Sequence, residues 1–259
     1  MDKLLVAVVI EGIVLAFVMF VVTMLYIRYF KRRRRTALAL AVAFTFWDIA
    51  IIFLFVFRLL EYLVVNGLIL NPNNREYGDI GVMLGYSFSA LSNIFILIFV
   101  SLIFSQAAIF RRTGMLIPIF FAALNGITIG ILLGGGIRLW PAPQYTMLPT
   151  LYHLTLTFIS FIALIAFTRQ PLRHAILRWE KAGFRFIILS GVFGILIYLS
   201  FALDFLFGDN ALGIISGGYT PFFFLAYVFA IFMCGLAYIG FTMPDFVRNR
   251  FKETKLDDN

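Results

Sequence analysis

Seven apolar stretches, near 4–27, 37–64, 80–109, 115–135, 149–168, 184–206 and 219–241, dominate the chain. Each is long enough to cross a hydrocarbon core of about 30 Å, which takes roughly 20 helical residues. Backbone N–H and C=O groups in lipid find no water, so a spanning stretch of this kind must close its hydrogen bonds within a helix. The expected fold is all-α: a seven-helix transmembrane bundle over 1–243, followed by a short charged and amphipathic tail over 244–259. With seven spans in 259 residues, too little chain remains for a folded extramembrane domain. The first stretch is read as a retained span, because it is too long for a signal h-region and its basic cluster follows it.

Charge sets the expected orientation. Of the 21 Lys and Arg residues, only Lys3, Arg58, Arg75 and Arg138 fall on one side of the spans. The rest gather in alternate gaps: Arg28 and Lys31 to Arg35 after span 1, Arg111 and Arg112 after span 3, Arg169 to Arg185 after span 5, and the tail. The positive-inside rule then puts the N-terminus outside and the C-terminus in the cytoplasm. The outer ends carry Asp2, Glu61, Glu76, Asp79, Asp204 and Asp209 instead. A net charge of +8 spread over juxtamembrane clusters points to anionic lipid headgroups as partners and away from nucleic acid. Cys234 is the single cysteine and lies inside span 7, which excludes an internal disulfide.

The span ends carry turn and interface signals. Asn71 to Asn74 and Pro141 to Pro143 read as outer turns. Trp140, Tyr145 and Tyr152 fit an outer aromatic belt and Trp179 an inner one. Arg169 to Arg185 reads as an interfacial helix, with Leu172, Ile176, Leu177 and Trp179 against lipid. A second amphipathic helix is expected over 243–251, opened by Pro244, with Phe246, Val247 and Phe251 in the headgroups. In span 4, Gly126, Gly130 and Gly134 repeat every four residues and line one helix face. That face serves close packing inside the bundle or, alternatively, a seam with another protein. Gly81 and Gly85 start a similar ridge in span 3.

Ionisable and amide side chains inside hydrocarbon are costly and mark candidate sites. From a rise of about 1.5 Å per residue, Asp48, Asn93 and Asn125 each lie roughly 15–20 Å into their spans. They form an expected midplane cluster, either an interhelical polar clasp or an ion or proton site. A second group, Glu11, Arg58, Glu61, His153 and Asp204, lies in the outer third. Arg58 and Glu61 are three apart and can pair on one face. Interfacial snorkelling explains part of this group, whereas an outward-facing polar pocket for a small or lipidic ligand explains all of it.

Enzymatic chemistry has little support. Two histidines, His153 and His174, on opposite sides cannot build a three-histidine zinc site, and no cofactor is expected. No lysine lies within a span, which excludes a retinal Schiff base in the last helix. Two short stretches, Ala43 to Trp47 and Tyr238 to Phe246, together with seven spans and the basic cluster after span 1, resemble the seven-helix membrane sensor regions of prokaryotic histidine kinases. The resemblance implies a prokaryotic plasma-membrane protein that senses a signal. Residues 244–259 are too short for a kinase, so it implies a stand-alone member acting through a separate cytoplasmic or membrane partner. Receptor-like or sensor-like function is the first reading. An ion- or proton-coupled transporter or channel using Asp48, and a structural subunit of a membrane complex, are the alternatives.

Overall fold

The computed structural model describes residues 3–71, 77–136, 147–207 and 219–251, without the side chains of 135, 136, 147–149 and 205. Asp2, Arg75, Glu76, Arg138, Trp140, Pro141 to Pro143, Tyr145, Asp209 and most of the turn at 71–74 lie outside the described residues, as do Lys252 and Lys255. Every element among the described residues is helical: α1 (Lys3–Arg32), α2 (Arg35–Val65), α3 (Tyr77–Ile103), α4 (Ala108–Thr113), α5 (Leu116–Gly136), α6 (Met147–His174), α7 (Arg178–Phe207), α8 (Pro221–Thr242) and α9 (Asp245–Arg250). All but α4 and α9 contain a segment long and apolar enough to span a membrane, making seven such helices. The chain is an integral membrane protein on this architecture.

Alternating direction puts the starts of α1, α3, α6 and α8 at one end, here the acidic end, with the starts of α2, α5 and α7 at the basic end. Neighbours in sequence pack together, and α1 returns to α8, so α1, α2, α3, α6, α7 and α8 close a ring. α5 stands outside it, packed principally on α3 and α6. The core inside the ring joins Val14, Val18, Leu25, Phe44, Phe99, Phe161, Tyr227 and Met233.

Local chemistry explains the boundaries. The tight turn between α1 and α2 is made by Arg33 at φ 52, whose amide donates to the Tyr29 carbonyl at 2.6 Å. α8 opens with Thr220 as N-cap, its hydroxyl accepting from the Phe222 amide at 3.2 Å, and with Pro221 in the first turn. It closes on Met243 in the left-handed region, and Pro244 then begins α9.

Two expected elements differ. No separate interfacial helix covers Arg169 to Arg185: α6 runs to His174 through Pro171, and α7 begins at Arg178 after a three-residue turn. The basic residues there are the ends of two spans, so their amphipathic pattern marks helix termini at the membrane surface. Span 3 stops at Ile103 and not near 109, because α4 is a separate short helix across an apolar stretch that hydropathy alone joins to α3. The expected tail helix forms as α9, with Val247 buried, Phe246 exposed and Phe251 edge-on to Phe186.

Candidate functional site

Near the acidic end, α1, α2 and α8 converge on a buried charged cluster. Glu11 of α1 is fully buried and 3.6 Å from Arg58 of α2. The Arg58 side chain is mostly enclosed, and its Nη1 donates to Glu61 at 3.3 Å and to the Tyr219 hydroxyl at 2.6 Å. The Tyr227 hydroxyl donates to Glu11 Oε1 at 2.6 Å. The Arg58 guanidinium also lies 5.1 Å from the Tyr219 ring centre and 5.7 Å from that of Phe223, in cation–π range. Phe223 and Tyr227 are four apart on α8 and share a face, and Tyr219, just ahead of the helix, packs its ring edge-on to Phe223 at 5.1 Å. Tyr219 itself sits at φ 61, a conformation unfavourable for a bulky side chain and held here by the Arg58 contacts.

Two carboxylates therefore share one guanidinium. Glu61 rests against the start of α3 at Gly78, where a Cβ would come within 2.8 Å of its carboxylate. Glu11 Oε2 and Arg58 Nε are both buried without a hydrogen-bond partner. Buried unsatisfied polar atoms are expensive, so the cluster holds free energy that a rearrangement can release.

His153 and Asp204 do not belong to it. His153, on α6, is buried with its ring 5.1 Å from Tyr86 and 6.0 Å from Tyr198, and neither ring nitrogen has a hydrogen-bond partner. Asp204, on α7, accepts from both the amide and the hydroxyl of Thr220 at 2.8 and 2.6 Å, and so anchors the start of α8. The expected set of five residues is divided accordingly. Glu11, Arg58 and Glu61 come together in one cluster, while His153 stacks elsewhere and Asp204 supports a helix cap.

The expected midplane cluster also separates. Asn93 donates to Thr157 of α6 at 2.7 Å, and Thr157 donates onward to the His153 carbonyl at 2.9 Å. Asn125 turns back to its own helix, donating to the Phe121 carbonyl at 3.0 Å. Asp48 Oδ1 is buried without a partner. No hydrogen bond joins any two of the three, because α5 sits outside the ring and Asn93 points toward α6. On span 4 the reading of close packing inside the bundle does not hold at two of the three glycines, which leaves the alternative of a seam with another protein. Gly126 and Gly130 are exposed, and a Cβ on either would meet nothing within 4 Å, although Gly134 is buried. Close approach occurs at other glycines: the expected ridge of Gly81 and Gly85 packs on α2, where their Cβ atoms would sit 2.8 Å from Phe57 and 3.1 Å from Leu54, and between α7 and α8 a Cβ on Gly240 would sit 2.9 Å from the Gly183 carbonyl and 3.0 Å from the Ile187 amide.

Two cavities complete the site. A small one of about 30 Å³ lies inside the ring beside Trp47, Asn93, Phe161, Ser190 and Tyr198, enough for a water molecule. A large vestibule of about 890 Å³ opens at the basic end, bounded by Arg28, Arg32, Arg34, Trp179, Tyr238 and Arg248 among others. Ile187 and Phe241 belong to both walls, so the two cavities abut. None of Glu11, Asp48, Arg58, Glu61, His153 and Asp204 lines either one. At the vestibule, Arg28 of α1 donates to the Thr242 carbonyl at the end of α8, at 2.9 Å. The α1/α8 pair is thus tied at both ends, by Glu11 with Tyr227 at one and by Arg28 with Thr242 at the other.

Sequence reasoning identified Glu11, Arg58 and Glu61 but not Tyr219 and Tyr227. Their signal was present as two hydroxyls eight residues apart, on either side of Phe223, in a stretch otherwise rich in Phe. No protein-family model, curated protein or solved structure matches the chain.

Proposed function

We propose that this protein is a receptor-like or sensor-like seven-helix membrane protein whose acidic end lies outside. In this reading the Glu11–Arg58–Glu61 cluster is a lock whose state is read at the basic vestibule by a separate partner. The observation that carries it is the incomplete bonding of an ion pair between the fully buried Glu11 and the mostly enclosed Arg58, which with Tyr227 joins α1, α2 and α8. A cluster with unused bonding capacity can adopt a second arrangement, and two arrangements are what a switch requires. α1 and α8 run from the lock to the vestibule, so a change at one end has a direct mechanical route to the other. The skewed distribution of Lys and Arg supports the orientation. The likeness of Tyr238 to Phe246 to the exit segments of membrane sensors supports the sensing role. A coupled transporter has less support, because Asp48 lines neither cavity.

The test is a distance measurement across the basic end. Spin labels at Lys31→Cys on α1 and Phe246→Cys on α9, in a Cys234→Ala background, report the α1/α8 separation; both labelled positions are exposed. Arg58→Gln is expected to shift the distance distribution by about 2 Å or more, the scale of helix movements in switching proteins. An unchanged distribution in a variant of unchanged helicity removes the coupling between lock and vestibule.

A further inference from the structure

The vestibule has a chemistry of its own. Its wall contains four guanidiniums, Arg28, Arg32, Arg34 and Arg248, against two carboxylates, Glu180 and Asp245. No carboxylate among the described residues comes within ion-pair distance of any of these four arginines. Arg32 and Arg34 are close enough to Arg28 to repel it, an effect that Asp245 offsets in part. Arg248 is stacked over Trp179 at 4.7 Å from the ring centre, which orients its guanidinium without neutralising it. The arginines come from α1, the α1/α2 turn and α9, so the fold gathers like charges from separate elements around one concavity. Bringing such charges together opposes folding unless something of opposite sign enters.

We propose that this vestibule binds a phosphomonoester group, gripped by Arg34 and Arg248 at the rim and by Arg28 and Arg32 on the α1 wall. A phosphomonoester near −2 balances the excess of four guanidiniums over two carboxylates, and its terminal oxygens accept the parallel N–H pairs that arginine offers. The volume falls in the range of small-molecule sites. Beneath the arginines the wall turns apolar at Leu102, Ile103, Phe184 and Phe241, which suits a group attached to a hydrocarbon chain. Two sources share this chemistry: the headgroup of a lipid of the phosphatidic acid type, and a free phosphorylated solute. The site stands independently of the lock, and binding here neither requires nor excludes coupling to Arg58.

The purified full chain in non-ionic detergent is titrated at fixed ionic strength with dioctanoyl phosphatidic acid, dioctanoyl phosphatidylglycerol and inorganic phosphate, and binding is read as a rise in melting temperature. Saturable stabilisation by the phosphatidic acid is expected to weaken at least tenfold in Arg34→Gln/Arg248→Gln. It is expected to stay unchanged in Arg111→Gln/Arg112→Gln, which removes two exposed charges of α4 outside the vestibule. Arg34→Lys/Arg248→Lys retains the charge and guards against loss of fold, and it should keep part of the affinity. The same pattern with inorganic phosphate alone identifies a soluble anion as sufficient, whereas a response confined to the lipid identifies the headgroup. Equal binding of the phosphodiester lipid, equal weakening in the α4 variant, or no saturable binding of either phosphate probe overturns the proposal.

Discussion

Arg58→Leu is expected to destabilise the bundle by about 3 kcal/mol, and Glu11→Leu introduced with it is expected to restore most of that loss. Breaking a buried pair leaves an uncompensated charge, which costs about 3–5 kcal/mol in soluble interiors. Single polar contacts between membrane helices are worth much less, about 0.6 kcal/mol on average. The larger figure should prevail here because Glu11 is fully buried, with Tyr227 as its one remaining donor. Removing both partners eliminates the buried carboxylate and leaves two tyrosine hydroxyls and the partly exposed Glu61 with lost bonds, at roughly 1 kcal/mol or less each. Equilibrium unfolding in mixed micelles of the wild type, both single variants and the double variant gives the coupling term directly. Single effects that simply add would show that Glu11 and Arg58 do not act as a unit, and the lock would lose its energetic basis.

Depth was readable from sequence and azimuth was not, which separates what sequence reading recovered from what it missed. Counting residues from the span ends placed Glu11, Arg58, Glu61, His153 and Asp204 in one layer, and Asp48, Asn93 and Asn125 in another. Whether side chains in a layer meet depends on which helices are neighbours. The ring puts α1 beside α2 and α8, which unites Glu11 with Arg58 and Tyr227. It puts α6 beside α3 and α7, where His153 meets Tyr86 and Tyr198 instead. The displacement of α5 to the outside could not be read from hydropathy, since a lipid-facing span and a ring span have equally apolar sequences. For the same reason a regular glycine repeat on α5 was more conspicuous than the irregularly placed Gly183 and Gly240. The seven spans and the grouping of positive charge at one end were legible because both follow from composition along the chain, independent of packing.

The α7/α8 seam yields the second large effect. Gly240→Ala is expected to cost about 1–3 kcal/mol, the usual range for overpacking. An added methyl at Gly240 would meet the Gly183 carbonyl and the Ile187 amide, both backbone, at 2.9 and 3.0 Å, so no side-chain rotation can make room. One of the helices must move, and their separation also shapes the vestibule, whose wall includes Gly183 and Gly240. Gly130→Ala provides the opposite expectation. Its methyl meets nothing within 4 Å, and alanine is favoured over glycine inside a helix by about 0.5–1 kcal/mol, so the variant should be neutral or slightly stabilised. Melting temperatures of the two variants in the same detergent compare a buried with an exposed glycine on equal terms. A destabilised Gly130→Ala would mean that the α5 face is occupied by another chain in the purified protein. A neutral Gly240→Ala would mean that α7 and α8 separate without loss, and the vestibule wall would then be a yielding surface able to widen around a bound group.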